Sequence, residues 1–258
     1  MVDNSACNPE LVLAHKFSEE IITYTERDVA VYALGVGACG RDAVDTGELK
    51  YVYDENGQQF IKVLPTFSTL FSLGVLPQIC SMPGLQFDKR LVLHGQQYIE
   101  IYKPLPANAT IHSKVTVAGL HDKGKASVLE IETRSYKKES GELLSLNRTS
   151  VFLRGAGGFS DPSKPFTYSN YPALLYRLSG DYNPLHSDPM IGKAAGGDPD
   201  MIKNIFARFL LHVYPGEALI TEMWIEDFRV IYQVKVKERN RAVLSGYVQL
   251  HHRLAASL

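Results

Sequence analysis

Apolar and polar residues alternate along two similar sets of stretches in this chain. In the first set, YKPLPANATIHSKVTVAGL is followed by KASVLEIETRSYKKESGELLSLNRTSVFL. In the second, VYPGEALITEMWIE is followed by FRVIYQVKVKERNRAVLSGYVQL. Each set reads as a Pro-marked turn, a strand, a polar turn and a β-rich hairpin. The hairpins turn at Glu139-Ser140-Gly141 and at Arg239-Asn240-Arg241. Val, Ile, Tyr and Thr alternate with charged residues, as an antiparallel sheet with one wet face requires. Trp224, in EMWIEDF, takes the position of a buried strand residue.

Ahead of each set lies a Tyr-x-Leu segment, Tyr32-Ala33-Leu34 and Tyr176-Arg177-Leu178. The first sits in ERDVAVYAL, which reads as a helix capped by Thr25 with Asp28 as its N3 acid. It is followed by PTFSTLFSLGVL (residues 65–76), with Phe67, Leu70, Phe71 and Gly74 at helical spacing. Its near-continuous apolarity suits a helix wrapped by a curved sheet. A long central helix held in an antiparallel sheet is the hot-dog architecture, and two copies give an α+β double hot-dog fold, the two sheets side by side.

The second copy is short. Tyr32 to Tyr102 spans 70 positions, whereas Tyr176 to Tyr214 spans 38. What stands there, MIGKAAGGDPDMIKNIF, holds Gly192, Gly196, Gly197 and Pro199 and cannot make a long buried helix. The second hot dog therefore lacks its central helix, and its sheet is expected to expose an apolar face. Residues 154–172, RGAGGFSDPSKPFTYSNYP, form the linker between halves 1–153 and 173–258.

Bulk chemistry narrows the function. With 258 residues, 45% apolar and 21% charged, the chain can bury a sizeable core. A formal charge of −1 gives no electrostatic case for a nucleic acid or an anionic membrane as partner. Cys7, Cys39 and Cys80 share no CxxC spacing, which argues against zinc and a disulfide framework. The N-terminal residues are too polar for a secretory signal, and no apolar run approaches a membrane span. The sequons at Asn108 and Asn147 are then bare pattern matches. The final Ala256-Ser257-Leu258 fits a peroxisomal address at its small and Leu positions but has Ser in place of the basic residue.

The chemistry concentrates in YRLSGDYNPLHSDP, residues 176–189. Gly180 and Pro184 make an irregular turn, on which Asp181 and His186 can converge with Asn183 between them. A carboxylate and an imidazole are the usual pair for holding and deprotonating a water. Asp and Asn also favour plain turns and caps, so composition alone leaves both readings open. Gly35, Gly37 and Gly40 match the dinucleotide fingerprint, with Asp54 as a ribose-binding acid. That site needs a strand before the glycines and a helix opening within them; here a helix comes first. Glu26 is a catalytic candidate or a first-turn charge of its helix. His94-Gly95 opens LHGQQYIEIYKPLP as the start of a strand, and His251-His252 reads as an exposed tail.

With YRLSGDYNPLHSDP as its most specific part, the chain resembles the MaoC-like hydratase 2 family, in particular its monofunctional peroxisomal plant type. YALGVGACGRDAVD, LHGQQYIEIYKPLP, RGAGGFS and VKVKERN extend the resemblance over nearly the whole chain. It implies reversible hydration of trans-2-enoyl-CoA to (3R)-3-hydroxyacyl-CoA in peroxisomal β-oxidation. A water would be held between Asp181 and His186 with Asn183 in support, and Gly180, Tyr182, His94 and Gly95 would touch substrate. The first half would be the non-catalytic one, making room for the acyl tail. No cofactor is implied, because the thioester supplies the activation. The partners implied are the acyl-CoA, a second copy as homodimer, and an import receptor for Ala256-Ser257-Leu258. The family continues after HSDP into a segment that supplies an oxyanion donor, absent here between Pro189 and Asp198. An impaired isoform or an acyl-CoA-binding protein is the alternative, and a nicotinamide-dependent dehydrogenase a remote one.

Overall fold

A computed structural model describes residues 7–53, 61–170 and 198–252. The alternating stretches become ten strands: β1 (Glu20–Tyr24), β2 (Val92–Ile101), β3 (Ala109–Asp122), β4 (Ala126–Lys137), β5 (Leu143–Arg154), β6 (Thr167–Ser169), β7 (Ile202–Phe209), β8 (Leu219–Glu226), β9 (Arg229–Val236) and β10 (Arg241–Leu250). They form one antiparallel sheet in the order β1-β3-β4-β5-β2-β7-β10-β9-β8, with β6 on β3. The run β7-β10-β9-β8 mirrors β2-β5-β4-β3. The mirror lies at the β2–β7 ladder, where Tyr98 faces Phe206 and Ile99 faces Ile205. This is the strand order of two hot dogs sharing one sheet.

Helix α1 (Pro9–Leu13) and the short α3 (Thr46–Leu49) lie outside the sheet order. Helix α2 (Glu26–Gly35) starts where its sequence signal placed it. The Asp28 carboxylate accepts from the Thr25 N–H at 2.8 Å and from its hydroxyl at 2.9 Å, which closes the first turn.

The central helix departs from expectation. Residues 65–76 do not form one continuous α-helix: Pro65–Ser72 is a 3-10 helix, and α4 (Val75–Ile79) follows it. Ser68, Thr69 and Ser72 each donate a hydroxyl proton to the carbonyl three residues back, at 2.8–2.9 Å, which favours the tighter winding. Pro77 has no N–H to bond the Leu73 carbonyl, so it suits the first turn of α4 and not the interior of one helix running on from Pro65. Gly74 lies between the two pieces, and the Glu20 carboxylate occupies the space a Cβ there would need.

These broken turns still fill the first hot dog. Phe67 and Phe71 pack with Tyr24, Ile111 and Leu144, and Val75 and Ile79 pack with Val115, Leu129, Ile131 and Leu153. A buried polar chain fixes their depth. Asn147 donates to the Ser68 carbonyl at 3.0 Å, Gln97 donates to Asn147 at 3.2 Å, and Thr149 donates to Gln97 at 2.8 Å. The Asn147 sequon is therefore inside the protein, with that side chain 1% exposed.

In the second half, 170–201 replace what 25–91 provide in the first, less than half the length. The helical turn described there is the 3-10 segment Pro199–Met201. The expected bare face is nevertheless not found among the described residues. Val230, Tyr232, Val248 and Leu250 are buried in one cluster with Ile99 and Ile101 across the β2–β7 junction. Exposure falls instead on the terminal strand β8, and Trp224, expected to be buried, is 49% exposed there. Its position is an edge, so the alternation that reads as burial has no described neighbour on one side.

The expected linker is partly structured. Asp122, at the end of β3, accepts from the N–H groups of Gly124 and Gly158 at 2.8 Å each. It also accepts from the N–H and hydroxyl of Ser160 at 2.9 and 2.7 Å. That clamp turns the chain back so that β6 lies along β3. Cys7 is buried beside this region, and desolvation, with the Asp122 charge adding to it, pushes its thiol up to about 11. Because the thiolate is the nucleophile, Cys7 should alkylate far more slowly than Cys80 at pH 8. Peptide mapping after timed iodoacetamide treatment checks this, and equal labelling would refute it.

Candidate active site

The helix-bearing face of the sheet is core, so accessible chemistry gathers on the opposite face. There a cleft of about 1320 Å³ runs across β4, β5, β2, β7 and β10. Its lining is apolar at Val128, Phe152, Phe209, Leu211 and Val243 and includes the basic residues Lys123, Arg154 and Arg208.

A bulge in β2 shapes the cleft. Pairing with β5 slips between His94 and Gln96, so Gly95 is the extra residue and Leu93 through Gln96 all line the cleft. His94 Nε2 lies 3.0 Å from the Gln96 carbonyl, and its ring packs 4.9 Å from Phe209. His94 and Gly95, both expected to touch substrate, thus reach one cavity.

A second histidine on the cleft carries no signal in the sequence. His121 on β3 places Nδ1 2.6 Å from the Thr167 hydroxyl and Nε2 3.3 Å from Glu130 on β4. Glu130 is 3% exposed and accepts from the Ser150 hydroxyl at 3.3 Å. Ser150 in turn lies 3.3 Å from Gln96, which joins the cluster to the bulge. Gly119 makes room: a Cβ there would collide with the Glu130 carboxylate and crowd His121. A carboxylate between Leu129 and Ile131 reads as a wet-face residue, and only the strand register reveals its burial.

Other candidates separate. Gly180, Asp181, Tyr182, Asn183 and His186 lie outside the described residues, as does Asp54. Glu26 is not on the cleft; its carboxylate accepts from the Ile61 N–H at 3.0 Å, and its own N–H donates to Asn108 at 2.9 Å. The glycine fingerprint is inverted for a dinucleotide: α2 leads into Gly35, and Gly37 turns with φ of 100° where a phosphate-binding helix should open. His251 and His252 are exposed beyond β10, and no cluster of three metal-ligating side chains occurs among the described residues.

A family model described as "MFE-2 hydratase 2 N-terminal domain" matches residues 22–155. The chain is 54% identical to Enoyl-CoA hydratase 2, peroxisomal, of Arabidopsis thaliana, over 96% of each chain. That alignment spans 298 positions, more than the 258 residues present, so the relative carries internal segments that face gaps here. Among solved structures, full-length peroxisomal multifunctional enzyme type 2 of Drosophila melanogaster matches with a TM-score of 0.62 and 28% identity, over 90% of this chain and 48% of that one. A MaoC-like dehydratase from Phytophthora capsici shares the fold, with a TM-score of 0.67 at 23% identity over 97% of this chain and 100% of that one.

Proposed function

The chain belongs to the hydratase 2 family, and on that footing we propose that it hydrates trans-2-enoyl-CoA reversibly to (3R)-3-hydroxyacyl-CoA in peroxisomal β-oxidation. The observation that carries this is the 54% identity to a peroxisomal enoyl-CoA hydratase 2 across nearly all of both chains. Asp181 and His186 hold the water. Its oxygen bonds to C3 as the pair removes a proton, C2 gains a proton, and Asn183 steadies the turn. The developing charge on the thioester oxygen needs positioned donors. In this reading the first half is non-catalytic. The cleft across both halves, largely apolar with Lys123, Arg154 and Arg208 among its lining, suits an acyl chain on a phosphate-bearing carrier. A homodimer and capture of Ala256-Ser257-Leu258 by an import receptor belong to the same proposal.

One observation favours a second reading. The short interval between β6 and β7 and the gapped alignment support the reading that this chain lacks the stretch in which the oxyanion donor is expected. Loss of one such donor costs on the order of 10²–10³ in rate. The chain would then bind enoyl-CoA and turn it over poorly.

Loss of the conjugated enoyl thioester absorbance, with chiral analysis of the product, tests the assignment. Hydration to the 3R product supports it, a 3S product overturns it, and saturable binding without turnover selects the second reading.

A further inference from the structure

Three neighbouring strands, β6, β3 and β4, bring Thr167, His121 and Glu130 together on the lining of the cleft. Thr167 is the cross-strand partner of His121, and its hydroxyl oxygen lies 2.6 Å from Nδ1. Glu130 approaches the other ring nitrogen, Nε2, at 3.3 Å. Each contact spans adjacent strands of one sheet, so the ladder itself holds the three groups in place.

The proton inventory sets the direction of this row. An ionised carboxylate only accepts, so Nε2 carries the proton of a neutral imidazole and donates it to Glu130. The lone pair of Nδ1 then accepts from the Thr167 hydroxyl. Ser150 donates to the second oxygen of Glu130 at 3.3 Å, which holds the carboxylate in its orientation. Gly119 supplies the room, since a Cβ there would lie 2.2 Å from the Glu130 carboxylate. A hydroxyl bonded to an imidazole, which a buried carboxylate orients in turn, is the arrangement of an activated nucleophile.

We propose that Thr167, His121 and Glu130 form a second catalytic centre, which hydrolyses acyl-CoA thioesters. The substrate class rests on the proposed function, but none of the three residues belongs to the pair assigned to hydration. Thr167 Oγ1 attacks the thioester carbon as its proton passes to His121 Nδ1. The carbon–sulfur bond breaks, and CoA leaves as the thiol with that proton. Water then attacks the Thr167 ester, again giving a proton to His121. The ester carbon–oxygen bond breaks, the proton returns to Thr167, and the fatty acid is released. Glu130 stabilises the imidazolium at both stages.

Decanoyl-CoA isolates this activity, because a saturated chain has no double bond to hydrate. The full chain should release free CoA from it faster than a protein-free control, as measured by liquid chromatography. Thr167→Val keeps the shape of the side chain and removes the hydroxyl. It should slow release by about 10²–10⁴-fold, as should His121→Gln, while Thr167→Ser should keep most of the rate. Thr167 is exposed, so its variants should fold as the parent does, which circular dichroism verifies. Release no faster than the control overturns the proposal. So does release that Thr167→Val leaves unchanged, since a water or a cysteine would then be the nucleophile. Hydration of trans-2-enoyl-CoA, followed on the same preparation of the parent chain, reports on the other reading. A chain that hydrates but releases no CoA loses only the second centre.

Discussion

Asp181→Asn is expected to slow hydration of trans-2-enoyl-CoA by about 10²–10⁴, the range a positioned acid–base group supplies. Asparagine keeps the size and shape of the side chain but loses the charge that, in the proposed mechanism, orients the imidazole and draws the proton from water. Substrate binding should change little, so the loss should appear in kcat more than in KM. His186→Ala should lose a similar amount, and the double variant little more than either single one, because groups that act as a unit are not additive. Steady-state rates of the four chains, with far-ultraviolet circular dichroism to verify folding, decide the matter. An Asp181→Asn variant within two-fold of the parent would remove the carboxylate from the mechanism.

Asp122→Ala should cost about 3 kcal/mol of stability. Hydrogen bonds to a charged group contribute roughly 1.5–3 kcal/mol each. Here the donors that lose their acceptor are the amides of Gly124, Gly158 and Ser160. Desolvation by burial raises the carboxyl, but the donors from Ser160, Gly158 and Gly124 outweigh it and hold the pKa below its ordinary value. A folded pKa below the unfolded one means the stabilisation is full above the unfolded value, near ~3.9. It is lost as the pH falls through the folded value. Urea unfolding of parent and variant should therefore show a wide gap at pH 7 that closes only below about pH 4. A gap of the same size at pH 7 and pH 3 would assign the loss to packing rather than to the charge.

Much of this protein is legible in its residues. The hairpins follow from alternation and their turns, and α2 follows from the Thr25–Asp28 cap, because each signal is local and complete. The central helix misled because apolar spacing records which side chains face inward, not how the backbone winds. Hydroxyls at 68, 69 and 72 and a proline at 77 decide the winding. The His121–Glu130 pair was hidden for a different reason. Its two residues meet only through strand register, and the space they share is made by Gly119, which lies opposite Glu130 and two positions from His121 on its own strand. Trp224 shows the converse, since a strand pattern says which residues share a face but not whether that face is covered.

The junction between the halves has a consequence during synthesis. Strand β2 can close its second edge only on β7, roughly a hundred residues later in the chain, which takes about 5–20 s to make. Until then Gln97, Ile99 and their neighbours carry unpaired backbone groups beside an apolar surface. The nascent first half is thus a client for whatever shields open strands on the ribosome. A chain stopped before β7 should aggregate rather than persist as a small folded protein.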